Sequence, residues 1–466
     1  MNEYIEFNES EKMEEECGVF GIYSKENKKD IAGLIYYGLC ALQHRGQESA
    51  GMSISNNSSI KTFKGMGLVS DVFTESELHG NVGNVGIGHV RYSTAGGSCE
   101  GNAQPLQSHC KLGDIAIAHN GNLINPNIIK ELLEDAGVVF QTTTDSEVIL
   151  NMIARRAKNG LKTTLTDTIS AIKGSFALVI SVQNKLIGIR DPHGIRPLCM
   201  GKLEDGSIVL ASESCALDSV GAELIRDINA GEIVIIDENG VEAINYNEQS
   251  HKAPCSFEHI YFARPDSVID GLDVYKSRYE TGVKLWKQSK VEADIVIGVP
   301  DSGVPAAQGY AVASGIPFVT GLVKNKYIGR TFIKPSQELR ERAVHVKLNP
   351  IKSMIKGKRV VVIDDSLVRG TTSKKLIEML RNAGATEVHF RSASPAVKHP
   401  CYFGVDIAYR KELLAAEKSI KEICEYIGAD SLDFLKLDNL TSTLGSKNFC
   451  MGCFNGIYPL STVANM

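Results

Sequence analysis

Apolar and polar positions change rhythm once along the chain, near residue 250. Before that point, short β-type runs alternate with Gly-rich turns, as in "NVGNVGIGHVRYSTAGG", "DIAIAHNGNL", "GSFALVISV" and "KLIGIRDPHG". Short apolar runs bounded by Gly, Asn and Asp predict strands. Helices are predicted between them over 125–136 and 145–158. The polar section 238–254, "ENGVEAINYNEQSHKAP", predicts the junction between two units. Beyond it the order becomes strand, turn, helix, in "ADIVIGVPDSGVPAAQGYAVASG" and again in "GKRVVVIDDSLVRGTTSKKLIEMLRNAGA". Near-continuous Val/Ile strands followed by helices ending in Gly predict a parallel sheet covered on both faces.

At 466 residues the chain exceeds one ordinary core, which agrees with two domains. A net charge of −5 argues against a non-specific nucleic-acid binder, which needs a basic surplus. No apolar run approaches the roughly 18 residues of a membrane helix. Residues 1–16 hold seven Glu and one Lys, and lack the basic start and apolar middle of an export signal. A cytoplasmic location is expected. Eleven cysteines without an export signal point to thiol or metal chemistry rather than a disulfide framework. Most will simply pack as small hydrophobes.

In "RVVVIDDSLVRGTT" a buried strand, Val360–Ile363, delivers Asp364 and Asp365 to its carboxyl end, where open α/β sheets bind ligands. The loop that follows carries Ser366, Arg369, Gly370, Thr371 and Thr372, and a helix is expected from near Ser373. Backbone N–H groups and three hydroxyls at a helix N-terminus suit a phosphate. The two acids suit sugar hydroxyls or a Mg²⁺ shell. No Gly-Lys-Ser/Thr closes the loop, so it is not a Walker A motif. Two adjacent acids alone usually mark a solvated turn; the whole strand, acid-pair, hydroxyl-loop, helix pattern says more. It resembles the phosphoribosyl pyrophosphate (PRPP) signature of type I phosphoribosyltransferases. The resemblance extends to "IVIGVPDSG", where Asp301, Ser302 and Gly303 would receive pyrophosphate, and it makes Ser302, Asp364 and Asp365 the protein side of a Mg²⁺ site. Residues 324–347, Arg330 among them, carry seven Lys/Arg against two Glu. Such a run is usually a solvated face. The resemblance instead makes it a basic lid over the sugar phosphate that shuts out water.

The stretches "CGVFGIY", "LQHRGQESAGM", "GHVRYSTAG", "AHNGNL" and "TTTDSEVI" together resemble the N-terminal-nucleophile glutamine amidotransferases. In that family the nucleophile is the first residue, and its α-amine, with a pKa of about 8, serves as base. Residues 1–16 would then be a propeptide cleaved before Cys17. The resemblance also implies an oxyanion site from the Asn120 side chain and the Gly121 N–H. It assigns Arg91 to the glutamine α-carboxylate, Asp145 to the α-amino group, and Arg45 to the glutamine site near the nucleophile.

"CMGC" at 450–453 has a metal-gripping spacing, which by itself leaves zinc, a redox disulfide and an iron–sulfur cluster open. Cys255 in "APCSFEHIYFARPDS" and Cys401 in "KHPCYFGVD" would complete four ligands. Both contexts resemble the iron–sulfur subclass of glutamine PRPP amidotransferases, which implies a 4Fe-4S cluster on Cys255, Cys401, Cys450 and Cys453. Cys40, Cys99, Cys110, Cys199, Cys215 and Cys424 lack such contexts and read as packing residues.

The two resemblances together imply an α/β protein. A propeptide (1–16) is followed by an αββα glutaminase domain (17–250) and a phosphoribosyltransferase domain with a parallel sheet (251–466). The implied reaction passes ammonia from glutamine through a closed passage to C1 of PRPP. The products would be 5-phosphoribosylamine, pyrophosphate and glutamate. A homotetramer inhibited by AMP, ADP, GMP or GDP is implied as well. Hexosephosphate amidotransferases share the first half, but their sugar-isomerase half does not predict "VVVIDDSLVRGTT". A PRPP-binding regulator would need a DNA-binding module, and no basic helix-turn-helix candidate precedes the junction.

Overall fold

The computed structural model describes residues 17–26, 30–56, 59–92, 97–247, 251–325, 348–405 and 410–460. The expectations for the leader 1–16 and for Arg330 lie outside these residues.

The central strands of the first unit are buried on both faces. A seven-stranded antiparallel sheet runs in the order 223–227, 199–202, 208–211, 18–23, 85–91, 49–55 and 60–66. A six-stranded antiparallel sheet follows the order 240–245, 232–237, 185–190, 174–182, 113–123 and 106–110. Val19, Val85 and Ile87 of the first sheet meet Ala118, Val179 and Leu186 of the second in a layer between them. The alternate residues point outward. Phe20 and Ile22 pack under the helix Ala32–Ala41, while Leu178 and Ile180 pack under Asp145–Arg156 and Leu161–Ala171. This gives four layers, αββα, and explains why the strands read as unbroken apolar runs.

One expectation needs correcting. Part of the polar section 238–254 is not a junction, because Gly240–Asn245 pairs with Glu232–Asp237 as an edge strand. Most of its side chains are exposed, so an edge strand of this kind carries no apolar signature.

In the second unit four parallel strands follow the order 295–298, 359–364, 387–392 and 431–434. Val360 and Val362 face Leu376 and Ile377 of the helix Thr371–Asn382. Val361 and Ile363 face Ala307 and Tyr310 of the helix Val304–Ser314 on the other side. That helix lies unusually close to Val274–Gln288. A Cβ on Gly282 would meet the Ala306 carbonyl at 1.8 Å, and one on Gly309 the Tyr279 carbonyl at 2.0 Å. Glycine alone permits the approach. Among the described residues no helix is long and apolar enough to cross a membrane.

Candidate active site

Cys17 is buried and immediately precedes Gly18–Tyr23, the central strand of the seven-stranded sheet. Its Sγ donates to the Tyr92 carbonyl at 3.3 Å. Burial pushes the thiol up to about 12, with the Arg91 charge opposing and the Asp145 and Glu48 carboxylates adding to the rise. Arg91 donates to Glu48 at 2.7 Å. Asp145 opens the helix Asp145–Arg156, where it accepts from the Leu123 N–H at 2.9 Å and lies 3.5 Å from His119 Nδ1. Against the upward push of burial, His119 and the Leu123 N–H hold its carboxyl below the usual range.

Asn120 lies on the long strand Gly113–Leu123 and is 1% exposed. Among the described residues neither its Oδ1 nor its Nδ2 has a hydrogen-bond partner. A buried amide left unpaired is costly and is expected to have a partner in the working state. Gly121 next to it has φ +148°, and a Cβ there would meet the Ser175 carbonyl at 2.1 Å. Behind this pair His119, Gln104, Ser146 and His89 form a buried network. Gln104 accepts from the His119 N–H at 2.8 Å and donates to Ser146 at 3.1 Å, and His89 Nε2 lies 2.9 Å from the His119 carbonyl.

Arg45 is 1% exposed and does not face an open pocket. Its Nε donates to the Cys17 carbonyl at 3.1 Å, and its terminal nitrogens reach Glu213 at 2.5 Å and Glu258 at 2.7 and 3.0 Å. Glu213 also meets His44 at 2.7 Å and accepts from Ser267 at 2.6 Å. Against the push of burial, His44 and Arg45 hold its carboxyl well below the usual range. Glu258 opens the turn Glu258–Phe262, whose Ile260 and Phe262 pack with Val361 and Ile363, so a buried ion pair joins the support of Cys17 to that core.

There, Asp364 and Asp365 end the strand Arg359–Asp364, both buried. Asp364 Oδ1 accepts from the Asp365 N–H at 3.0 Å, and Asp365 accepts from the Ser366 hydroxyl at 2.6 Å and from Ser302. The two loops foreseen from sequence therefore meet through the Ser302–Asp365 hydrogen bond. Gly303 packs under them, since a Cβ would meet the Ile363 carbonyl at 2.5 Å. Asp301 turns outward to Lys324 at 2.9 Å. Gly370, at φ +79°, caps the helix that starts at Thr371, two residues earlier than predicted. Arg369 pairs with Glu412 at 2.5 Å, while Thr371 and Thr372 stay half-buried in the first turn.

Residues 89–219 match the glutamine amidotransferase domain family, and residues 278–428 match the phosphoribosyl transferase domain family. The chain is 49% identical to an amidophosphoribosyltransferase from Synechocystis sp., over 97% of this chain and 92% of that protein. It superposes on the Bacillus subtilis glutamine PRPP amidotransferase complexed with ADP and GMP with a TM-score of 0.89. The identity there is 45%, over 95% of this chain and 97% of that one. A structure described as the allosteric regulatory enzyme of purine biosynthesis gives a TM-score of 0.90 at 45% identity, covering 95% and 96% of the two chains. The chain belongs to the amidophosphoribosyltransferase family.

As a member of that family it transfers ammonia from glutamine to C1 of PRPP, at the entry to purine biosynthesis. Its third notable region is a small cavity of about 20 Å³ lined by Cys255, Cys401, Cys450 and Cys453 with Arg196 and Phe403. The backbones of Cys255 and Cys450 pair in an isolated parallel β-bridge, both thiols being free, and the Cys450 N–H donates to the Pro254 carbonyl at 2.8 Å. Burial pushes the Cys450 thiol up to about 12, and Cys255 and Cys453 well above the usual range. Among the described residues no three His, Cys, Asp or Glu side chains converge closely enough to chelate one ion. The segment after Cys401 packs on the back of the Asn120 strand. Asn122 donates to the Tyr402 carbonyl at 3.1 Å, and Ser175 and Arg196 both donate to the Phe403 carbonyl.

Sequence reasoning missed Glu213, Glu258, His119, Gln104 and Arg196. One of them left a trace. Glu258 precedes the apolar run Ile260–Phe262, and a charged residue beside such a run is rarely buried unless paired.

Proposed function

We propose that Cys17, made the first residue by removal of 1–16, attacks the glutamine amide while its own α-amine takes the thiol proton. A thiol held near 12 by burial needs such an adjacent base to act at neutral pH. The Asn120 amide and Gly121 N–H would receive the oxyanion. The unpaired state of the Asn120 amide is the observation that carries this reading. Arg91 would take the glutamine α-carboxylate and Asp145 the α-amino group. Arg45 is assigned to positioning Cys17 rather than contacting glutamine, because its guanidinium is spent on the Cys17 carbonyl and two acids. Ammonia leaves, and water hydrolyses the thioester to glutamate.

On the other side Asp364 and Asp365 would hold the ribose hydroxyls, and Ser366, Arg369, Gly370, Thr371 and Thr372 the 5-phosphate. Asp301, Ser302 and Gly303 would receive pyrophosphate. Arg330 is carried by the family resemblance alone. Ser302, Asp364 and Asp365 are hard oxygen donors, which fits Mg²⁺ completed by water and phosphate oxygens. Bound Mg²⁺ would supply charge neutralisation of the departing pyrophosphate.

Four thiols lining one cavity support a shared metal or cluster site. Cys255, Cys401, Cys450 and Cys453 would hold a 4Fe-4S cluster that cross-links the junction to the C-terminal segment. The ADP and GMP complex of the Bacillus subtilis relative supports inhibition here by AMP, ADP, GMP or GDP. A cytoplasmic homotetramer completes the proposal.

The test is an intact mass of anaerobically purified protein, first under native conditions and then after acid. Loss of residues 1–16, with an acid-labile mass of four irons and four sulfides, is the expected result. A retained leader in protein that still makes glutamate would sink the N-terminal-cysteine mechanism. A single bound zinc would replace the cluster and leave the chemistry standing.

A further inference from the structure

One buried side chain between the two sites is unspent. His259 is 2% exposed, and among the described residues neither ring nitrogen has a hydrogen-bond partner. It is the second residue of the π-helical turn Glu258–Phe262, a widened turn of a kind that recurs at functional sites. Its position is well defined. The ring meets Phe449 edge-on with centroids 5.7 Å apart, and its backbone carbonyl accepts from Arg278 at 2.9 Å. His259 lines a small cavity of about 10 Å³, room for one water-sized molecule, together with Arg278, Thr281, Ser302 and Asp365. One residue earlier, Glu258 pairs with the arginine that holds the Cys17 carbonyl. Successive side chains of one turn thus serve the nucleophile on one side and the PRPP acids on the other.

The cavity carries charges of both signs, buried Arg278 and buried Asp365, so it gives an ammonium ion no net preference over neutral ammonia. Burial holds the His259 imidazole down near about 4, so it stays neutral and gives ammonia no proton. We propose that His259 receives ammonia in this cavity, accepting an N–H hydrogen bond that turns the nitrogen lone pair toward C1 of PRPP beside Asp365. The inference rests on the reading that the two sites work in series. As the N–C1 bond forms, the C1–O bond breaks and pyrophosphate leaves with its electron pair. The extra proton on nitrogen then passes to the departing pyrophosphate, giving the neutral amine.

The experiment compares His259→Phe and His259→Gln with the parent enzyme, using ammonium chloride and then glutamine as nitrogen source at saturating PRPP. Loss of one uncharged hydrogen bond should raise the ammonia KM about five- to ten-fold in the Phe variant. The Gln variant, which keeps an acceptor, should recover part of that loss. The PRPP KM should stay put, and phosphoribosylamine formed per glutamate should fall. An unchanged ammonia KM in both variants would overturn the proposal, as would a PRPP KM that rises in step with it. Should the Phe variant not fold, the Gln variant alone still decides between a shifted and an unshifted ammonia KM. A parent enzyme that uses external ammonia but never glutamine would overturn the in-series reading instead, and the ammonia KM would still judge His259.

Discussion

Replacing Arg45 by methionine would leave Glu213 and Glu258 facing a side chain of similar length and no charge. Removing one partner from a buried ion pair costs about 3–5 kcal/mol, because the remaining charge is stranded away from water. Here Glu213 keeps His44 and Ser267, and Arg196 stays 3.8 Å from Glu258. The lower end of that range, about 3 kcal/mol, is therefore expected, or roughly 6–12 °C in the unfolding midpoint of a unit this size. Adding Glu258→Met should return part of the loss, since the two residues are directly coupled. Arg45→Lys should rescue little, because one ammonium cannot span two acids and a carbonyl. The assay pairs calorimetric midpoints with steady-state glutamate formation. Losing the donor to the Cys17 carbonyl should lower kcat while leaving the glutamine KM nearly unchanged. A midpoint within about 2 °C of the parent would refute the energetic reasoning. A raised glutamine KM with kcat intact would instead return Arg45 to direct substrate contact.

Asn120→Ala should lower kcat for glutamate formation by about 10²–10³-fold with little change in glutamine KM, the expected loss of one oxyanion donor. Equal losses in kcat and binding would point to collapse of the strand. Gly370→Ala meets both a φ of +79° and a Cβ contact of 2.6 Å with Leu414 Cδ2. It should destabilise the second unit by about 1–3 kcal/mol and raise the PRPP KM, while glutamine KM stays constant. His89, which burial holds down to about 3, is neutral in the fold. Its pKa in the unfolded chain is about 6.5, so the unfolded chain binds more protons as pH falls below that value and stability drops by up to about 1.4 kcal/mol per pH unit. Denaturation curves of the parent and His89→Gln between pH 7.5 and pH 5 should diverge accordingly, and parallel curves would contradict this.

Local order explains what could be read without coordinates. The strand Arg359–Asp364, its acids, the hydroxyl loop and the helix behind it are contiguous, so their chemistry and geometry are both written over a dozen residues. The helices at 126–134 and 145–156 were foreseen for the same reason, and their ends differ from expectation by at most two residues. The edge strand 240–245 was not foreseen, because pairing on one side only demands no apolar pattern. The cysteine positions were recognisable by context, but the cavity they share depends on segments almost 200 residues apart.

Chain order therefore determined the two-unit plan, the four-layer and parallel-sheet architectures, and which residue types bear chemistry. Tertiary structure alone decided how they are joined. Arg45 reads as one more arginine in "QHRGQ" until folding brings Glu213 and Glu258 to it across 168 and 213 residues. His259 reads as one polar residue in an apolar run until its turn buries it in the lining of a small cavity shared with Asp365. Periodicity reports which face of an element is buried, whereas the partner of a buried charge is set by long-range packing, and no local pattern encodes it.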